Sequence, residues 1–238
     1  MATVRGPRIV NNGLVLCVNA ADRKSYRGSG ATWFDLSGNN LNATITNSPT
    51  FSTDTGGKFN IPVWNSNQYF NFPVSSLLNF QSSNFTICCW IKPGQYFVTS
   101  GGQYILWDLE NSYTLYYPGN ANSPIFTLRF GTYTAGAWTY TVSTDYRSYV
   151  NVWHLLTCVR NGSSCQIYAN TTNIVQTAGT HSNPASQATY GLYFATNRVQ
   201  GFSTVCDGDY SAFMAYNRAL SVAEITQNFN AQRGRFGI

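Results

Sequence analysis

Asp108-Leu109-Glu110 is the nearest this chain comes to a catalytic carboxylate pair. On a strand, residues two apart point the same way, so both acids would share one face. Retaining glycoside hydrolysis needs two such carboxyls about 5–5.5 Å apart. Asn111 follows and a third acid is missing, so the pair reads as a solvent-facing or hairpin-end feature. Asp207-Gly208-Asp209 is the other close acidic pair, and a turn explains it without a ligand. His154 and His181 are the only imidazole bases, His154 in a strand where it reads as structural and His181 in a polar loop beside Asn183-Pro184. No G-x-S-x-G, H-E-x-x-H or phosphate-binding loop accompanies them. The expectation is a protein without catalytic residues, not an enzyme.

Binding chemistry has more material. Tyr113, Tyr116, Tyr117, Tyr133, Trp138 and Tyr140 crowd one region rich in Thr, Asn and Gly. Exposed rings stack on sugars while short polar side chains bond hydroxyls, which makes these six the candidate glycan-binding residues. Burial in a core is the competing role for each of them.

Charged residues make up 10% of the chain, against about 25% in an average domain. The net charge of +5 is spread thinly, with Arg5 and Arg8 in a basic N-terminal arm and Arg23, Lys24 and Arg27 after it. No basic run tracks a phosphate backbone, so nucleic acid is not an expected partner. Neither a secretory h-region nor a membrane-length apolar stretch is present, which points to synthesis in a cytoplasm without membrane insertion. Cys17, Cys88, Cys89, Cys158, Cys165 and Cys206 fit no metal-ligand spacing and read as reduced, buried residues. Cys158–Cys165, across a hairpin, is the one disulfide their spacing makes easy.

The elements that must position these residues are short strands. Candidates fall at 42–46, 58–63, 68–72, 85–92, 104–109, 114–117, 125–131, 139–143, 189–195 and 210–216, with a hairpin of 150–160 and 165–169. Turn signals every 8–12 residues argue for a sandwich or barrel. The 85–92 strand is apolar on both faces and reads as central, covered on two sides. After them comes one helix. Ser221 and Glu224 make a capping box, Leu220 and Ile225 a hydrophobic staple, and Gly234 a stop. No linker divides the chain, so residues 1–8 are an arm and 9–238 one all-β domain.

Four segments carry a family resemblance. Gly13 to Asn39, Phe85 to Lys92, Val152-Trp153-His154 to Gly162, and Tyr216 to Ile225 resemble the opening, the central strand, the hairpin, and the last strand and helix of laminin-G/pentraxin-like domains. These belong to the concanavalin A-like lectin/glucanase superfamily. The resemblance implies a jelly-roll sandwich of two curved antiparallel sheets with one short C-terminal helix. Superfamily glucanases carry E-x-D-x-x-E, which this chain lacks. Some relatives bind calcium at the rim, for which Asp207 and Asp209 are the weak candidates here. Asn19 stands where relatives commonly carry Asp. No other cofactor is implied.

The opening and the R-G-R-F-G-I ending resemble versions in structural proteins of tailed bacteriophages, especially those of cyanobacteria. That implies a virion structural protein: a capsid decoration, fibre or tail-associated subunit docked on other virion proteins. Arg5, Arg8, Arg235, Phe236 and Ile238 are the candidate assembly contacts, with simple packing inside the domain as their alternative role. The same resemblance implies a homo-oligomer, commonly a trimer, located in the virion. The alternative function is a lectin module for a host-surface glycan.

Overall fold

The computed structural model describes residues 8–63, 66–95, 103–119, 126–197 and 205–238. Its strands in chain order are β1 (Leu14–Asn19), β2 (Thr32–Trp33), β3 (Ala43–Thr46), β4 (Thr50–Ser52), β5 (Lys58–Ile61) and β6 (Tyr69–Asn71). Then come β7 (Phe85–Pro93), β8 (Tyr104–Leu109), β9 (Tyr113–Tyr117), β10 (Arg129–Thr134), β11 (Ala137–Ser143) and β12 (His154–Asn161). The last are β13 (Ser164–Ala169), β14 (Thr172–Asn173), β15 (Val175–Thr177), β16 (Tyr193–Phe194) and β17 (Gly208–Tyr216), followed by helix α1 (Val222–Gln232).

They form two antiparallel sheets. One runs β14-β13-β12-β7-β17-β5-β4, with β1 pairing the second half of β17 beyond the end of β5. The other runs β15-β11-β10-β9-β8-β16-β6-β3-β2. The fold is the jelly-roll sandwich that the strand pattern and the resemblance imply.

Central strand β7 explains why its sequence is apolar throughout. Phe85, Ile87, Cys89 and Ile91 enter the core between the sheets. Cys88 and Trp90 point the other way, into a second apolar layer with Met214, Tyr216, Leu220, Ile225 and Phe236. Helix α1 covers that outer layer. Both halves of the capping box are made: Ser221 Oγ accepts from the Glu224 N–H at 3.3 Å, and Glu224 Oε2 accepts from the Ser221 N–H at 2.9 Å. Leu220 and Ile225, the staple pair, are both buried.

Gly234 does not end the segment. Residues Arg233–Phe236 continue as a 3-10 turn, and Gly237 (φ 74°) supplies the left-handed residue that stops it. The extra turn carries Phe236 onto Trp90, ring centroids 4.2 Å apart, with Trp153 flanking at 4.6 Å. The 125–131 strand is the largest shift among the strands: β10 begins at Arg129 and runs to Thr134, and residue 125 lies outside the described residues.

Candidate functional site

Strand alternation sorts the six aromatic candidates. On β9, Tyr113, Leu115 and Tyr117 enter the inner core, while Thr114 and Tyr116 face outward. Tyr113 and Tyr117 are therefore core residues, not sugar platforms; the Tyr113 hydroxyl donates to the Leu78 carbonyl at 2.9 Å. On β8 a bulge between Ile105 and Trp107 changes the phase. Tyr104, Leu106, Trp107 and Leu109 all pack inward, and Ile105 and Asp108 face out.

Register then lines up one outward-facing row across the nine-stranded sheet. It runs Thr44, Asn71, Tyr193, Asp108, Thr114, Gly131, Tyr140, each residue paired with the next. Five of those strands, β16 to β11, span four steps of about 4.8 Å, roughly 19 Å. Gly131 is the notch in the row. A Cβ there would lie 2.7 Å from Tyr140 Cε1 and 3.0 Å from Trp138 Cε3, so the missing side chain leaves room for both rings.

The rings occupy it in order. Trp138 and Tyr140 stack with nearly parallel planes, 8° apart, their centroids at 6.0 Å. Tyr116 meets Tyr140 edge-on at 5.7 Å, and Tyr133 meets Trp138 at 5.2 Å. Beside them is a cleft of about 270 Å³ lined by Tyr116, Trp138, Tyr140, Asp108, Glu110, Asn111, Thr114, Ile105, Gln103 and Asn197. Aromatic walls with a few converging polar groups are the usual make-up of a small-ligand site.

Asp108 and Glu110 thus share a face, as the spacing predicts, and both reach the cleft. Asp108 is not solvent-facing. It is buried at 6% exposure, and that desolvation raises its carboxyl to about 7, against a hydrogen bond from Thr114 and with a small addition from Glu110. Sequence reasoning missed Gly131, Thr114, Gln103, Asn197 and Tyr193. A glycine inside a strand flanked by aromatics was the available signal for the first; the bulge that aims Asp108 left none.

The other candidates fall elsewhere. Asp209 spends its oxygens on Lys58 Nζ at 2.9 Å and the Asn60 amide at 2.7 Å, while Asp207 sits against Gly94. Among the described residues no group of three His, Cys, Asp or Glu side chains could hold a metal. Phe236 is packed inside the domain, and Arg235 donates to Asn19 Oδ1 and Ser211 Oγ, each at 2.9 Å. Both are engaged within the fold, whereas Arg8 and Ile238 are exposed. Arg5 lies outside the described residues.

His154 is buried against Tyr146 and the Val152 carbonyl. His181 lies in a loop, as expected, but is buried there: its ring nitrogens meet Thr132 and Thr141 at 2.9 Å each. Burial lowers both imidazoles to about 4, so neither is a base poised near neutrality. All six cysteines are free; Cys165 faces Arg160 in register, two residues from Cys158, so that pair does not oppose.

A two-sheet antiparallel jelly roll closed by one short helix is the fold of the concanavalin A-like class. The sequence profile of the laminin-G type within the concanavalin A-like lectin/glucanases superfamily matches residues 64–226, about two thirds of the chain. The chain belongs to this family. The botulinum neurotoxin DC binding domain, solved with rat synaptotagmin II, is similar in structure: TM-score 0.71, 16% identity, 94% of this chain and 52% of that one. The botulinum neurotoxin serotype D ligand-binding domain, solved with N-acetylneuraminic acid, gives 0.70, 13%, 94% and 52%. Trypanosoma rangeli sialidase with sialic acid gives 0.64, 17%, 98% and 36%. The chain spans about half the length of the toxin domains and about a third of the sialidase, and the likeness is one of fold. No curated protein matches the sequence significantly. Among the described residues, no helix is long and apolar enough to cross a membrane.

Proposed function

We propose that this chain is a non-enzymatic carbohydrate-binding module whose site is the cleft on the β8–β11 face. The observation that carries the reading is the stacked Trp138–Tyr140 pair, seated over Gly131 in the cleft that Asp108 also lines. A sugar ring packs against the cleft side of that aromatic pair, and Asp108, Glu110, Thr114, Gln103 and Asn197 accept or donate bonds to its hydroxyls. Binding rather than hydrolysis is favoured because the two toxin relatives are named as binding domains and the chain lacks the third superfamily acid. A glycan array followed by calorimetry tests it. Wild type should retain an oligosaccharide and return it uncleaved, and Trp138→Ala should lose it with the far-UV spectrum unchanged. A clean array, or release of new reducing ends, overturns the reading.

A second reading, compatible with the first, is a virion subunit that docks on other virion proteins and presents this cleft to a host surface. Its support is the phage-like wording of both chain ends, together with the placement of Arg8. The Arg8 carbonyl accepts from Gln227 of α1 at 2.8 Å, while Val222 on that helix and Ile238 beyond it are 53% and 39% exposed. Deleting residues 1–8 should weaken docking to virion subunits; undiminished docking would remove the arm from the interface.

A further inference from the structure

A second cleft, of about 450 Å³, opens between the β1–β2 loop and the turn after β4. Arg23 and Arg27 line it together with Tyr26 and Phe51, and none of the chain's nine acidic side chains does. We propose that this cleft binds a small phosphate monoester, its dianion between Arg23 and Arg27 and its organic group against the Tyr26 and Phe51 rings. The site is separate from the sugar cleft, and the two readings stand or fall independently.

The loop fixes both arginines. The Asp22 carbonyl accepts from the Ser25 and Tyr26 N–H groups, each at 2.8 Å, which folds the chain between them into one tight turn. Buried Ser25 pins that turn to the sandwich: its Oγ donates to the Phe34 carbonyl at 2.6 Å and accepts from the Asn19 N–H at 3.0 Å. A site held this way loses little further freedom on binding. Among the described residues, neither arginine forms an ion pair. Asp22 lines a different cleft, with Cys17 and Asn19, and its Oδ1 accepts from the Lys24 N–H at 2.8 Å. Asp54 lies 3.9 Å from Lys58 instead. A third cation backs the lining. Arg235 Cδ would be 3.9 Å from a Cβ on Gly56, and its guanidinium donates to the neutral Asn19, Ser211 and Gln232. Two guanidinium forks suit a tetrahedral oxyanion, and their charge matches the roughly −2 that a phosphate monoester approaches at pH 7. A carboxylate or a sulfate ester brings only one negative charge. Tyr26 and Phe51, centroids 4.9 Å apart and tilted by 58°, offer an apolar wall to the group that the phosphate esterifies.

Calorimetry on the full chain tests this with phenyl phosphate, phenyl sulfate and inorganic phosphate. Phenyl phosphate should bind about tenfold tighter than phenyl sulfate, the worth of one further charge-assisted bond. Inorganic phosphate should also bind more weakly, because it leaves the ring wall uncovered, and added salt should weaken all three. Arg23→Gln and Arg27→Gln, at exposed positions, should each lower phenyl phosphate affinity about tenfold with the far-UV spectrum unchanged. Lys24→Gln, next to the lining but outside it, should leave that affinity as it was. Failure to bind phenyl phosphate overturns the inference, and so does equal binding of either other probe. An equal loss in Lys24→Gln overturns it as well, by showing a diffuse basic surface in place of a cleft.

Discussion

The two rings of the cleft pack where they do because β10 carries no side chain at Gly131. Gly131→Val should displace Tyr140 and Trp138, since even a Cβ would come within 3.0 Å of both. Sugar binding should drop at least about tenfold, roughly 1.4 kcal/mol, while the core, on the opposite face, keeps its packing. Titration against the array hit checks this, and an unchanged affinity would mean the rings are not the platform. Asp108 makes a different claim, about stability. Its carboxyl is raised from 3.8 to about 7, chiefly by burial. Between those values the folded chain holds a proton that the unfolded chain has released. Stability is therefore greatest below the window and falls as pH rises through it. Asp108→Asn should flatten that slope and add about 4 kcal/mol near pH 8. Denaturant melts across the window read it directly, and an unchanged slope would put the carboxylate in water.

The closing helix was legible almost residue by residue, because capping obeys local rules that a short sequence window contains. Ser221→Ala should cost about 1 kcal/mol, measurable as a lower urea midpoint at constant slope. What followed the helix was harder to read, since Gly234 and Gly237 are equally good stops and tertiary contact decides between them. Trp90 makes the choice by offering a stacking partner to Phe236. Phe236→Ala should then cost about 3 kcal/mol, far more than loss of an exposed tail residue; a change within 0.5 kcal/mol would favour the role of a contact surface instead. The sheets show the same division. Strands of six or more residues such as β8, β11 and β12 were visible in sequence, whereas two- and three-residue strands such as β2, β4, β14 and β15 exist only through their partners. The site followed suit. Three of six aromatic candidates line it and Tyr133 backs Trp138, because alternation turns all four outward, and the other two are core for the same reason. The β8 bulge that turns Asp108 outward depends on the neighbouring strand, so no local window contained it.

Two apolar layers on opposite faces of the β7–β17 sheet need not open together, and the six cysteines sample both. Cys89, Cys158, Cys165 and Cys206 belong to the inner core, where both sheets must separate before a reagent can enter. Cys17 and Cys88 belong to the outer layer, which α1 and the following turn cover. Burial raises the thiols of both outer residues to about 12, so neither reacts while the cover is closed. The cover is held by one helix, Phe236 on Trp90, and the Arg218–Glu224 ion pair at 2.6 Å, a smaller set of contacts than the inner core commands. Elements with fewer buried contacts open at lower free energy than the whole molecule. Thiol labelling in native buffer should therefore resolve into two classes, with Cys17 and Cys88 modified first and the other four only on global unfolding. Phe236→Ala should speed the first class much more than its effect on global stability speeds the second. Mass spectrometry of quenched time points assigns the order, and a single shared rate for all six would show instead that the helix and the sandwich fold as one cooperative unit.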